Sequence, residues 1–282
     1  MTFWYWLLSW LPFEWAAPDT MLFMKNALLA VLVVTPLFGL LSTMVVESRM
    51  AFFSDALGHS AFTGMAIGAL CGLTRPVGAA VVFAVVIALL FTLVRQKTHM
   101  ASDTAISVFS SAAVALGIFL STLGGQSFTK FNTLLIGDIL SVAPAEIGLL
   151  ALILLALVIL WLTSYNQMML SSVHQALADS RGIQVVWKNF LFTAAIAVVV
   201  TISMTWVGLL VINSLLVLPG AAARNVSRNM RQYHLVSLLS AVCAGIAGLM
   251  TSYYIEASAG AAITLYLAIF FAVTFCFRKQ RL

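Results

Sequence analysis

Nine stretches of the chain, at about residues 22–46, 52–73, 76–94, 104–123, 143–163, 188–205, 207–223, 233–253 and 258–277, run with few or no charged residues. In hydrocarbon every backbone N–H and C=O must be paired inside the protein, so apolar runs of this length fold as spanning helices. Composition closes the alternatives. Of the 282 residues 62% are hydrophobic and only 8% charged, too few charges to clothe a soluble core of that size. Strands of a transmembrane barrel would alternate apolar with polar residues, whereas these segments are apolar throughout. The expected fold class is all-α, a polytopic transmembrane bundle of eight or nine helices. It forms a single domain over 21–282, preceded by an N-terminal segment, 1–20.

That leading segment carries Trp4, Tyr5, Trp6, Trp10, Phe13 and Trp15. Such a pattern suits an amphipathic helix at the membrane interface, or equally a lead-in to the first crossing. It lacks a basic start and a small-residue cleavage site, so no cleaved signal peptide is expected. The net charge of +5 fits attraction to anionic lipid; no basic run interleaved with aromatics points to nucleic acid. Cys71, Cys243 and Cys276 lie in apolar stretches without CxxC spacing and are read as packing residues.

With nine crossings the termini lie on opposite sides, and basic residues orient the chain. Eleven of the 14 Lys and Arg fall on one side: Arg49, Arg95, Lys97, Arg181, Lys188, Arg224, Arg228, Arg231, Arg278, Lys279 and Arg281. Only Lys25, Arg75 and Lys130 fall on the other, which places the C-terminus in the cytoplasm. Residues 188–223 must cross twice, with a tight reversal near Thr205-Trp206 and two short helices. The stretch 128–142 is too short and polar to span, so it forms a re-entrant or external helix. The longest cytoplasmic connection, about 164–187, contains a short helix from His174 stopped by Gly182. It can dock a partner protein or lie on the membrane.

Two ionisable residues stand out. Asp55 and His59, in Phe53-Ser54-Asp55-Ala56-Leu57-Gly58-His59-Ser60, are spaced i, i+4 on one helix face. Inside a bilayer such groups are costly and face a polar pathway, and a carboxylate with an imidazole makes a ligand pair for a divalent metal. The plainer reading is an Asp–His hydrogen bond that holds two turns together. Two donors fall short of the four or more a divalent ion takes. Asp138, Glu146, Asn213, Met65 and a symmetry copy of the pair are the candidates for the rest. Gly64, Gly68 and Gly72 form a small-residue ridge, and Gly64 lies roughly 140–180° around the helix from the Asp55/His59 side. One face of this helix can pack while the other looks into a pathway.

Other intramembrane features read as structural. Pro36 with Gly39, and Pro219 with Gly220, are expected to kink or break their helices. Asn213 and Ser214 suit hydrogen bonds between helices, and Glu256 a solvated turn. There is no G-x-x-x-x-G-K-[ST] phosphate loop, no HExxH and no GxSxG, so the chain carries no ATP site of that kind and no hydrolase site.

From about residue 25 to 277 the sequence resembles the permease subunits of bacterial ABC importers for zinc, manganese or iron(II). The segment Met50-Ala51-Phe52-Phe53-Ser54-Asp55-Ala56-Leu57-Gly58-His59-Ser60 is similar to that family's signature after its first span. The run from Val207-Gly208-Leu209 through Leu218-Pro219-Gly220-Ala221 resembles its glycine-to-proline helix, and Ala178-Asp179-Ser180-Arg181-Gly182-Ile183 its coupling segment. The chain departs from the pattern at His174, where relatives carry an acidic residue, at Gly220, where alanine is usual, and at Asn213. The resemblance implies a type II-like permease fold and a homodimer with the ion path along the subunit interface. Asp55 and His59 would be a transient site or gate, and His174, Ala178, Asp179, Arg181 and Gly182 would contact the ATPase. It also implies cytoplasmic ABC ATPase subunits that hydrolyse ATP, an extracytoplasmic metal-binding protein, and a multi-pass location in the bacterial cytoplasmic membrane. The metal is substrate, with no permanently bound cofactor, and the permease is no enzyme. The rival readings are a proton-coupled secondary metal transporter without an ATPase and a non-transporting membrane assembly partner.

The orientation is directly measurable: green fluorescent protein fused after Leu282 should fluoresce, and alkaline phosphatase fused there should be inactive. The opposite pair of results would invert the topology.

Overall fold

A helix that must satisfy its own backbone in lipid is interrupted only where the sequence supplies a stop, and among the described residues the stops leave nine long helices. In a computed structural model the described residues are Leu8, 21–74, 76–98, 100–123, 137–173 and 185–277. Among them run α1 (Leu22–Glu47), α2 (Phe53–Leu70), α3 (Val77–Thr98), α4 (Ser102–Leu123), α5 (Pro144–Val173), α6 (Val185–Val207), α7 (Leu209–Val226), α8 (Met230–Ile255) and α9 (Ala259–Cys276). No strand occurs among the described residues. Eight of the nine are long and apolar enough to cross a membrane; α2, whose polar residues include Ser54, Asp55, His59, Ser60 and Thr63, is the ninth. The aromatic segment 1–20, apart from Leu8, and the coupling positions His174, Ala178, Asp179, Arg181 and Gly182 lie outside the described residues.

α1 is the axis of the bundle. It packs on α5, α7 and α8, and 67% of its most apolar window is buried, against 17% for α5. Close approach is made by small residues, as expected where lipid and side chain are equally apolar. Gly39 lies against Leu238 and Ala241 of α8, and its carbonyl accepts a 2.7 Å hydrogen bond from Ser237 Oγ. Further round α1, Ser42 Oγ accepts a 2.8 Å bond from the Gly220 N–H of α7.

The helices fall into two groups, packed more densely within each than between them. α1, α5, α7, α8 and α9 form one; α2, α3, α4 and α6 form the other. Hydrogen bonds run inside each group. Thr63 Oγ1 of α2 donates to the Ala113 carbonyl of α4 at 2.6 Å, and the hydroxyls of Thr92 and Thr193 join α3 to α6 at 2.8 Å. In the other group the Tyr165 hydroxyl of α5 meets His234 Nε2 of α8 at 2.6 Å, with Trp161 stacked on Tyr165. The ends of α1 and α3 meet, where Arg95 in the last turn of α3 donates to the Ser48 carbonyl after α1.

Several expectations are corrected. Of the two expectations for Pro36 and Pro219, kink or break, the break is ruled out, since each lies inside an uninterrupted helix. α6 is not short: its 23 residues run to Val207, and the reversal is compressed into Gly208, whose φ of 87° suits glycine. α5 continues to Val173, so the first ten residues of the 164–187 connection are helical and prolong the span Pro144–Thr163; no Gly or Pro stops the helix earlier. Gly72 is no part of the packing ridge. At φ 74° it ends α2 in a Schellman arrangement, with Leu73 N–H bonding the Gly68 carbonyl and Gly72 N–H that of Ala69. Cys71, Cys243 and Cys276 are exposed on the outside of the chain. Lys25, counted among the three basic residues on the non-cytoplasmic side, is 1% exposed in the first turns of α1.

The remaining ridge residues give a direct test. A Cβ on Gly64 would lie 2.6 Å from Ala80 Cα and 2.8 Å from the Ala79 carbonyl, while one on Gly78 would meet nothing within 4 Å. Gly64→Val should therefore cost about 1–3 kcal/mol and lower the thermal unfolding midpoint of the protein in detergent. Gly78→Ala should stay within about 0.5 kcal/mol. Equal midpoints for the two variants would refute this packing.

Candidate functional site

Asp55 occupies the first turn of α2, where unpaired N–H groups and the helix dipole favour a carboxylate. One turn further on, His59 Nε2 lies 3.4 Å from Asp55 Oδ2. The second carboxylate oxygen is engaged from another helix: Asn213 Nδ2 of α7 donates to Asp55 Oδ1 at 3.3 Å. Each oxygen of the acid thus has its own partner.

Packing on both sides fixes this geometry. Behind α2, Gly64 and Gly68 seat the helix on α3, with Gly68 against Pro76 and Ala79, and Gly117 of α4 faces Phe62 and Thr63. In front, Gly58 lies between Asp55 and His59 in sequence, and Leu209 of α7 fills the space its missing side chain leaves. Leu209 and Asn213 are i, i+4 on α7, so the contact at Gly58 carries Asn213 to the carboxylate. The start of α7 is in turn set by Gly208, and the chain at Asp138 is tied in beside it by the Asp138 N–H, which donates to the Trp206 carbonyl at 2.9 Å.

The cluster opens outward. The Asp55 side chain is 44% exposed and that of His59 19%. On α7, Leu210, Ser214, Val217, Ala221 and Arg224 continue a stripe at helical spacing that is partly or fully uncovered, with Asn213 in it. A carboxylate, an imidazole and a side-chain amide therefore lie together on an uncovered seam of the chain. They offer hard oxygen and borderline nitrogen to a divalent ion and leave coordination positions for water or a second copy.

The other candidates lie elsewhere. Asp138 is exposed; its carboxylate accepts from Leu140 N–H at 3.1 Å and starts the short 3-10 turn Ile139–Ser141. It lines a cavity of about 120 Å³ with Val207, Val211 and Ser258. Of the stretch 128–142, only 137–142 are described. Glu146 Oε2 accepts from Ala143 N–H at 2.8 Å and secures the start of α5. Met65 is half-buried against the core. Among the described residues no group of three or more His, Cys, Asp and Glu gathers. Sequence reading had Asn213 both as a helix-to-helix hydrogen bonder and as a pathway candidate; its contact with a residue 158 positions away was not readable. The Gly58–Leu209 contact was missed altogether, because the only sequence signal is one glycine within the motif.

The chain matches the model of the ABC 3 transport family over residues 20–278. It is 26% identical over 259 residues to the manganese transport system membrane protein MntC of Listeria monocytogenes, covering 92% of each chain. To the high-affinity zinc uptake system membrane protein ZnuB of Haemophilus influenzae it is 27% identical, over 91% of this chain and 97% of that one. Among solved structures it is similar to PsaBC from Streptococcus pneumoniae in complex with Fab, at 26% identity and a TM-score of 0.77, covering 98% of this chain and 95% of that one.

Proposed function

The chain belongs to the ABC 3 transport family, and we propose that it is the membrane-spanning permease subunit of an ATP-driven importer carrying a divalent transition metal into the bacterial cytoplasm. The observation that carries this reading is the Asp55–His59–Asn213 cluster on an uncovered seam between helices. Manganese and zinc are the metals named for its relatives, and iron(II) suits the same donors. Asp55 and His59 act as a gate or transient site. Few ligands favour release, since conduction needs binding strong enough to admit the ion and weak enough to let it go.

The exposed face that holds the cluster supports a homodimer with the path between two copies, each offering its own acid and imidazole. Asp138, exposed beside the external turns, fits the entry to that path. The chain has no phosphate loop, so ATP is hydrolysed on cytoplasmic ABC subunits docked at 174–183, and the permease itself does no covalent chemistry. An extracytoplasmic metal-binding protein delivers the ion. Family membership supports a location in the cytoplasmic membrane, and the distribution of Lys and Arg supports a cytoplasmic C-terminus.

Asp55→Ala and His59→Ala should each lower labelled-metal uptake by the assembled transporter at least about tenfold, the scale seen when groups supporting a metal site are removed. Uptake should need the ATPase partner and survive collapse of the proton gradient. Wild-type rates in both variants would reject the site. Transport by this chain alone that dies with the proton gradient would replace the importer with a secondary carrier.

A further inference from the structure

We propose that Asn213 is a third ligand of the passing ion, presenting its side-chain carbonyl oxygen, and that this oxygen biases the Asp55–His59 site toward manganese(II) over zinc(II). The proposal rests on the transport reading above and names the residue that sets its selectivity.

The two ends of the Asn213 amide are in unlike situations. Its nitrogen donates to Asp55 Oδ1 at 3.3 Å. Its oxygen is shielded from solvent and accepts no hydrogen bond among the described residues. Folded proteins rarely leave a buried carbonyl oxygen without a donor, and this one, next to a carboxylate and an imidazole, is placed to meet an ion. The amide is held this way round by the carboxylate, since turning it over would set two acceptors against each other.

A dication changes that balance. Once an ion takes the charge of Asp55, the carboxylate no longer requires the amide N–H, and the oxygen becomes the favoured end to face it. The terminal torsion of asparagine is broad and roughly two-fold, so the exchange needs no movement of α7. Asn213 thus serves in two states: donor to the empty carboxylate, acceptor toward the occupied one. An amide oxygen carries no net charge, so it adds a ligand without adding the attraction that would trap the ion.

The donor chemistry sets the preference. Imidazole suits zinc, whereas carboxylate and carbonyl oxygens suit manganese. Asp55 and His59 alone offer one of each kind; Asn213 tips the set to two oxygens and one nitrogen. Any divalent ion gains a ligand from Asn213, but the gain is an oxygen, so it weighs more for the ion that prefers oxygen ligation.

The test measures labelled manganese(II) and zinc(II) uptake in cells expressing the complete transporter, wild type beside Asn213→Ala, Asn213→Asp and Asp55→Ala. The manganese-to-zinc ratio is read because it cancels differences in expression. Asn213→Ala should lower that ratio about tenfold. Asn213→Asp, which keeps an oxygen but cannot donate to Asp55 as a carboxylate, should hold it within about twofold of wild type. Should the alanine variant fail to assemble, Asn213→Leu, close in size and without donors, should show the same loss. An unchanged ratio in Asn213→Ala would overturn the proposal, and so would an Asn213→Asp ratio falling as far as that of alanine, which would leave only the N–H contact to Asp55. Either result combined with lost uptake in Asp55→Ala defeats this inference alone. Full uptake in Asp55→Ala would strike the site itself.

Discussion

A carboxylate surrounded by hydrocarbon is tolerable only when other groups hold it, and the position of Asp55 organises much of this bundle. The helix dipole of α2, the imidazole of His59 and the amide of Asn213 share its charge. Two of these come from α2 itself. The third requires α7 to approach α2 closely enough for a side-chain hydrogen bond, and that approach depends on Gly58 having no side chain where Leu209 lies. Polar chemistry and steric fit are therefore one problem here, solved at a single crossing of two helices.

The rest of the bundle meets the same solvent constraint by simpler means. Hydroxyls return to their own backbone: Thr35 to Val31, Ser60 to Ala56, Thr98 to Val94. Small residues then let helices approach, and cross-helix bonds such as Ser237 to Gly39 appear where the approach is closest. Donors are so well used locally that contact between helices is mainly a matter of shape. The Tyr165–His234–Trp161 cluster is an exception, a knot of aromatic and polar groups tying α5 to α8.

Helix positions were legible because hydrocarbon leaves a single register of apolar runs, and Gly or charged residues stop them. The bounds of α1, α4 and α9 fall within a residue or two of those read from the sequence. What the sequence withheld was facing. In a soluble helix a polar stripe tells outside from inside, but lipid and core are equally apolar, so the cysteines could not be assigned to a side. Lys25 illustrates the converse: near a membrane boundary its charge suggests water, yet tertiary packing encloses it. At the site, the i, i+4 spacing gave Asp55 and His59 directly. Asn213 was visible only as a polar residue in an apolar run, since 158 residues of chain separate it from its partner.

The division of the helices into two internally bonded groups has a mechanical meaning. Asp55 belongs to one group and Asn213 to the other, so their bond is a clasp across the joint. The carboxylate oxygen that fastens it is one a cation would claim. On the transport reading, cargo held by Asp55 on one side and Asn213 on the other would replace the clasp with a bridge of its own, so the joint would be fastened through the ion while it passes.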